Sequence, residues 1–286
     1  MYRSIFYFFI IITMTYSCTA RIDIDTEAST PYLVIYGYIT TDTMQHSIKI
    51  TRSNGFFATT KPEGIRNAEV SISDDDKTYI LSESDDEPGL YLTTPDVYGI
   101  EGKTYSLSVS VEGQVYGATS YLPASIILDT VVLRPSTAFS KAIELAFSAK
   151  IGTSANYYKY NVYNENKSLM DTLYKFYTIS DEYINRDKEV EGLTCYFFFD
   201  DEKDDLLTGN KITLRMDVIT KEFYDHIYKA QSEVGASIPL FSGPPANVGT
   251  NIQRMTPSDM TPVAGFFTAY SSRRKSTFVE AGLVKP

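Results

Sequence analysis

Apolar and polar residues alternate with a period of two along most of this chain. In residues 105–111, Tyr105, Leu107 and Val109 alternate with Ser106, Ser108 and Ser110. Such alternation is typical of a β-strand with one buried face and one face in water. The segment Glu112-Gly113-Gln114 then reverses the chain into residues 115–122, which predicts a β-hairpin.

Similar short runs recur and predict a chain built mostly of strands. They cover residues 33–40, 47–52, 68–73, 78–83, 127–133, 143–147, 157–163, 172–179, 195–199, 211–218, 264–271 and 277–279. Many short strands separated by turn residues indicate β-sandwiches or barrels. We therefore predict an all-β fold with an immunoglobulin-like or prealbumin-like sandwich over residues 31–125. A second β-sandwich-type domain follows over residues 126–286, and the boundary lies near Pro123-Ala124-Ser125.

One segment departs from the period of two and predicts an inserted α-helix over about residues 221–235. Phe223, Ile227, Ala230 and Val234 recur at helical spacing on a single face. Thr220 is suited to the N-cap and Gly235 to the end of the helix.

The first 17 residues predict a cleaved export signal. Arg3 is followed by an apolar stretch over residues 5–14, about half the length of a membrane-spanning helix, and then by Ser17-Cys18. This layout is typical of bacterial lipoproteins, in which the cysteine becomes lipidated after cleavage. We predict Cys18 as the lipidated residue and residues 18–30 as a polar tether, with ordinary secretion and a free Cys18 as the alternative.

Charge argues against nucleic acid as a partner. The chain has a formal net charge of −10, and residues 1–17 carry only Arg3. The remaining chain therefore has 25 basic against 36 acidic residues. The only short basic cluster, Arg273-Arg274-Lys275, is interpreted as a solvated loop end.

No catalytic or cofactor motif is recognisable, so we predict no catalytic residue, no cofactor and no metal site. The two histidines, His46 and His226, accompany neither a nucleophile motif nor metal-ligand spacing, and we expect His226 to be a partly exposed structural residue. Cys195 lies in an aromatic segment and is expected to be a buried, inert thiol. The acidic runs 74–76 and 200–205 lack calcium-loop spacing, and calcium binding there stays open.

Tyrosine is unusually frequent, with 23 tyrosines and no tryptophan. Several crowd two predicted strands: Tyr157, Tyr158, Tyr160 and Tyr163, then Tyr174 and Tyr177. Either strands simply favour tyrosine, or some of these rings form a surface for sugars or a protein partner.

The sequence resembles a family of Bacteroidota lipoproteins known as domain of unknown function 4249. The resemblance rests on the order of several short motifs along the chain and on one proline-rich segment. The segments are Arg66-Asn67-Ala68-Glu69-Val70, Pro88-Gly89-Leu90-Tyr91, Gly102-Lys103-Thr104-Tyr105, Ser180-Asp181-Glu182, Gly243-Pro244-Pro245-Ala246-Asn247 and Gly265-Phe266-Phe267. The resemblance implies an outer-membrane lipoprotein, often encoded beside TonB-dependent transporters, and it supplies no catalytic residues.

The leading hypothesis is therefore a non-enzymatic binding or assembly lipoprotein of the cell outer membrane. It would be anchored through Cys18 and associated with a TonB-dependent transporter, with an unknown small-molecule, peptide or glycan ligand. One alternative is a cell-surface adhesin or matrix protein. A further alternative is a surface glycan-binding or hydrolytic protein.

Replacing Cys18 with Ala tests the anchor. Because the acyl chains supply the membrane affinity, at about 0.8 kcal/mol per buried CH₂, the Cys18→Ala protein should leave the membrane fraction. Fractionation and immunoblotting measure this, with Cys195→Ala as the control that stays in the membrane. Retention of Cys18→Ala in the membrane fraction contradicts the assignment.

Overall fold

The computed structural model describes residues 31–54, 59–150, 156–175, 177–182, 189–199, 206–234, 248–255 and 262–283. The predicted export signal, Cys18 and the tether lie outside the described residues. So do the acidic run 200–205 and the Gly243-Pro244-Pro245 segment.

Sixteen strands, one short 3₁₀-helix and one α-helix form the described part of the chain. The first seven strands are β1 (Leu33–Thr40), β2 (Ser47–Arg52), β3 (Glu69–Ser73), β4 (Thr78–Glu83), β5 (Leu90–Leu92), β6 (Thr104–Val111) and β7 (Gln114–Tyr121). Then follow β8 (Ile127–Pro135), β9 (Ile143–Lys150), β10 (Tyr157–Asn164), β11 (Lys167–Ser168), the 3₁₀-helix (Leu173–Lys175), β12 (Tyr177–Ser180), β13 (Val190–Phe198) and β14 (Lys211–Ile219). The last elements are α1 (Lys221–Val234), β15 (Gln253–Arg254) and β16 (Val263–Phe278). The predicted all-β class with one α-helix is confirmed.

The first core lies between two groups of strands in one continuous sheet. The sheet order is β11-β10-β14-β16-β1-β2-β5-β4-β3-β6-β7-β15, and β12 pairs with β10. Side chains from β1, β2 and β16 pack with those of β3, β6 and β7 in this core; among them Ile35, Ile48, Ile72, Tyr105 and Phe267 are fully buried or nearly so. Because alternate residues point inward, each strand buries one face.

The second core lies between β10 and β14 on one side and the three-stranded sheet β13-β9-β8 on the other. Tyr158, Val162 and Leu214 meet Leu145 and Phe198 there. The two layers have the sandwich-type packing predicted for the second half of the chain.

The longest strand, β16, belongs to both parts of the fold. Its first half, from Val263 to Tyr270, pairs parallel with β1, and its second half, from Ser271 to Phe278, pairs antiparallel with β14. The C-terminal strand therefore closes against the first described strand, over 200 residues away in sequence. β15 likewise pairs with β7. The proposed boundary near residue 125 stays a prediction, and these strands show that later residues also complete the first core.

Two segments differ from the sequence prediction. β16 is one strand, not two, and Arg273-Arg274-Lys275 lies exposed in its second half rather than at the end of a loop. The basic side chains are accommodated because Asp42 accepts two hydrogen bonds from Arg274, at 2.9 and 2.8 Å, and Glu101 accepts one from Arg273 at 3.1 Å. The predicted strand over residues 172–179 begins instead as the 3₁₀-helix, and only β12 is extended.

The helix α1 begins as predicted. The Phe223 backbone N–H donates to Thr220 Oγ1 at 3.3 Å, which is an N-cap hydrogen bond. Ile227 is buried against Ile219 and Tyr270, and Phe223 and Tyr224 pack beside them. The helix therefore covers the outer face of the sheet where β14 and β16 meet.

Substitution of Gly265 tests how closely the backbones of β1 and β16 approach each other. Its φ is +105°, and a Cβ atom there would lie 1.9 Å from the Ile35 carbonyl oxygen. We expect Gly265→Ala to lower the free energy of unfolding by about 4 kcal/mol or more, measured by urea titration. The matched control Gly102→Ala, with φ +84° and open space around it, should cost only about 1–2 kcal/mol. Equal losses would contradict the close approach.

Candidate functional site

The two faces of β10 separate its tyrosines. Tyr158 and Tyr160 point into the second core and are buried, whereas Tyr157 faces α1, with its ring 5.1 Å from that of Tyr224. Because strand side chains alternate, the tyrosine run serves both a core and an outer surface. The tyrosines of this strand thus pack on both of its faces, and a role of tyrosine in ligand or partner binding stays a hypothesis.

A β-bulge at Cys195 shapes the second core opposite Tyr160. Thr194 pairs with Ala146 and Tyr196 with Leu145, so Cys195 is the extra residue of β13. An extra residue disrupts the ladder locally. Here the Tyr160 hydroxyl donates to the Cys195 carbonyl oxygen at 2.9 Å, and the Cys195 thiol donates to the Leu145 carbonyl oxygen at 3.4 Å.

A pocket of about 570 Å³ opens beside this bulge, and we call it the aromatic pocket. Its volume lies within the range of about 300–1,000 Å³ usual for small-molecule sites. It is lined by Tyr160, Leu169, Met170, Lys175, Tyr177, Thr194, Cys195, Tyr196, Phe197 and Phe199. Five aromatic rings thus come together from β10, β12 and the end of β13.

Stacked and edge-on rings form its walls. The rings of Tyr160 and Tyr177 are nearly parallel, 11° apart in orientation, with centroids separated by 5.4 Å. Phe139, from the β8–β9 connection, meets Phe197 edge-on at 4.9 Å and Phe199 at 5.5 Å. Tyr177 remains 52% exposed and Phe199 39% exposed. These rings therefore offer aromatic surface to a ligand or partner.

Burial changes the ionisation of two polar groups in the pocket. Burial raises the pKa of Cys195 to about 12, so its thiol stays protonated near neutral pH. Burial also raises the pKa of Tyr160. Lys175 brings one positive charge and lies 3.4 Å from the Asp171 carboxylate. The arrangement can stack a planar ring and hold one polar or anionic substituent.

The two histidines lie apart from the aromatic pocket. His226 Nδ1 donates to the Gly249 carbonyl oxygen at 2.7 Å, so its Nε2 accepts from the Tyr36 hydroxyl at 3.0 Å. His226 is only 6% exposed. The expectation of partial exposure is wrong, because the rings of Phe266 and Phe223 pack on it, with centroids at 4.6 and 6.3 Å.

His46 is also buried, and its Nε2 lies 3.2 Å from the Val97 carbonyl oxygen. Burial lowers the pKa of both His46 and His226. Both imidazoles are therefore neutral parts of the interior near neutral pH.

The acidic run 74–76 forms hydrogen bonds within its own turn. Asp74 Oδ1 accepts from the backbone N–H groups of Asp76 and Lys77, at 2.8 and 2.9 Å. Lys103 forms ion pairs with both Asp74 and Asp76. Across the described ranges, no group of three His, Cys, Asp or Glu side chains is arranged to hold a metal ion.

Sequence reasoning found part of the aromatic pocket. It singled out Tyr160, Tyr177 and the aromatic segment around Cys195, but it did not bring them together. It missed Met170 and Lys175, which carry no sequence signal of their own. Only the pairing of β12 with β10 places these groups around one cavity.

A family model described as a domain of unknown function, DUF4249, matches residues 19–276. No curated protein matches the chain. Among the described residues, none of the helical segments has the length and apolar character needed to cross a membrane.

The reactivity of the Cys195 thiol tests whether this side chain is buried beside the aromatic pocket. In a Cys18→Ala chain, Cys195 is the only thiol. Because its pKa is raised to about 12, Ellman's reagent at pH 8 should not react with the folded protein. It should titrate one thiol after unfolding in guanidinium. Reaction of the folded protein at the rate of free cysteine would contradict a buried, protonated thiol.

Proposed function

The chain belongs to the DUF4249 family, and on that premise we propose that it is a lipid-anchored, non-enzymatic binding or assembly protein. Its place would be the Bacteroidota outer membrane, beside a TonB-dependent transporter. Cys18 would carry the lipid. The family match begins at residue 19, directly after Cys18, as expected if residues 1–17 are a removable export signal.

The aromatic pocket is the observation that carries the binding role. It combines a ligand-sized volume, five aromatic rings and a single lysine. Partly exposed tyrosine and phenylalanine give large contact area at a small entropy cost, which is why such residues dominate binding sites. The buried thiol with its raised pKa is poorly suited to nucleophilic catalysis.

The fold supports an assembly role as well. Strand ladders join the two cores through β16. A surface on such a scaffold keeps its shape when a partner binds, and this lowers the entropy cost of association. The pocket would thus be presented on a framework shared by the two cores.

Affinity isolation of the tagged native protein from membranes, in gentle detergent, tests the proposal. We expect recovery of a TonB-dependent transporter. The double variant Tyr177→Ala/Phe199→Ala should recover about tenfold less, because exposed aromatic anchors supply much of a typical binding energy.

The matched control is Tyr228→Ala, which removes a tyrosine that is 62% exposed on α1 and should leave recovery unchanged. Recovery of no envelope partner by the wild-type protein would contradict the transporter association. Full recovery by the double variant would place the partner away from the aromatic pocket.

A second candidate function, surface adhesion, is favoured by exposed apolar side chains at the three-stranded sheet. Val132 of β8, Phe139 of the β8–β9 connection and Phe199 directly after β13 are exposed, and β13 ends this sheet among the described strands. Exposed apolar surface beside an edge strand is typical of interaction sites. Protease treatment of intact cells tests this candidate, because a protein that is shielded from external protease cannot be an adhesin.

A further inference from the structure

The aromatic pocket lies between the edges of two strands in the second sandwich. Tyr177 belongs to β12, which pairs with β10, and Phe197 belongs to β13, which pairs with β9. Among the described strands, β12 and β13 each have a partner on one side alone. A ligand can therefore reach the pocket without displacing a strand of either described sheet.

Lys175 is the charged side chain of this pocket. The other described residues that line the cavity have aliphatic, aromatic, hydroxyl or thiol side chains. The Lys175 ammonium group pairs with Asp171, four residues earlier, at 3.4 Å, and the two side chains are 45% and 63% exposed. Asp171 is not among the lining residues. Because an exposed pair of this kind contributes little, an anion in the pocket can compete with Asp171 for the ammonium group.

Three other polar groups at the pocket wall already form hydrogen bonds within the protein. The Tyr160 hydroxyl donates to the Cys195 carbonyl oxygen at 2.9 Å, and the Cys195 thiol donates to the Leu145 carbonyl oxygen at 3.4 Å. The Thr194 hydroxyl donates to the Glu144 carboxylate. The polar group of a ligand is therefore expected at Lys175, whose donors are accessible.

Accessible aromatic surface lies near Lys175. Tyr177, two residues further along the chain, is 52% exposed, and Phe199 is 39% exposed. The Tyr177 ring is stacked on Tyr160, with centroids 5.4 Å apart, so one of its faces packs against the protein. The exposed part of the ring is available for a flat ligand, since aromatic rings pack well in offset stacks.

We propose that the aromatic pocket binds a small aromatic carboxylate. The ligand ring packs against Tyr177 and Phe199, and its carboxylate accepts a charge-assisted hydrogen bond from the Lys175 ammonium group. The volume of about 570 Å³ admits a ligand of up to drug size. This inference rests on the proposed binding role of the pocket and names its ligand class, and it requires no transporter.

Indole-3-acetate is a suitable probe, because the chain has no tryptophan and indole fluorescence reports on the probe alone. Its fluorescence anisotropy is measured against the purified protein in detergent, with a detergent-only blank. Indole-3-acetamide is the matched uncharged probe. We expect the acetate to bind about fivefold more tightly, which is the upper range for a partly exposed ion pair.

Three variants test the contact with the carboxylate. Lys175→Met should abolish the preference for the acetate and leave the affinity for the acetamide unchanged. Asp171→Asn removes the competing carboxylate and should tighten acetate binding about twofold. The matched control is Lys61→Met, which removes an exposed lysine between β2 and β3 and should change neither affinity.

A further pair of variants tests the position of the ring. Tyr177→Ala/Phe199→Ala should weaken the binding of both probes about tenfold, because it removes the accessible aromatic surface. Tyr228→Ala, which removes a tyrosine that is 62% exposed on α1, should weaken neither. The melting temperature of each variant is measured to show that it is folded.

Equal affinity for the two probes, or no saturable change with the acetate, would overturn the inference. An unchanged preference in Lys175→Met would also overturn it. Recovery of a transporter from membranes without saturable binding of either probe would overturn the ligand class and leave the transporter association intact. Saturable, Lys175-dependent acetate binding without recovery of a transporter would support the ligand class and contradict that association.

Discussion

The pairing of β16 with both β1 and β14 is the constraint on which the rest of the structure depends. The first half of β16 packs in the first core, where Phe267 and Ala269 are buried, and its second half belongs to the sheet that borders the second core. Gly265 permits this because the Ile35 carbonyl would collide with any Cβ. A hinge between the two cores would have to break this ladder, so they share one framework.

A cluster of charged side chains lies at the same junction. Arg274 and Arg215 lie opposite each other on β16 and β14, and Asp42, at the end of β1, lies against both. The Asp217 side chain is only 2% exposed, so removing its cationic partners would leave a buried charge uncompensated, which is strongly unfavourable. The aromatic pocket lies in the second sandwich and is lined by residues of β10, β12 and β13.

Local patterns predicted most strands because alternation is a property of neighbouring residues. The bounds of β1, β2 and β4 agree with prediction. The prediction was wrong where long-range contacts override local character. Local character alone predicts a loop at Arg273-Arg274-Lys275. In the structure these residues lie in β16, where acidic partners from distant segments neutralise two of their charges. Residues 172–175 contain strand-favouring side chains, yet the chain turns there before it pairs with β10.

The sequence by itself determined the all-β class, the position and N-cap of α1, and the aromatic character of β10 and β13. These features depend on residue type and short spacing. Only the tertiary structure decided which strands pair, that Cys195 is a bulge, and that Lys175 and Phe199 line one pocket. Those outcomes depend on residues far apart in the chain meeting at hydrogen-bonding distance, and no local pattern contains that information.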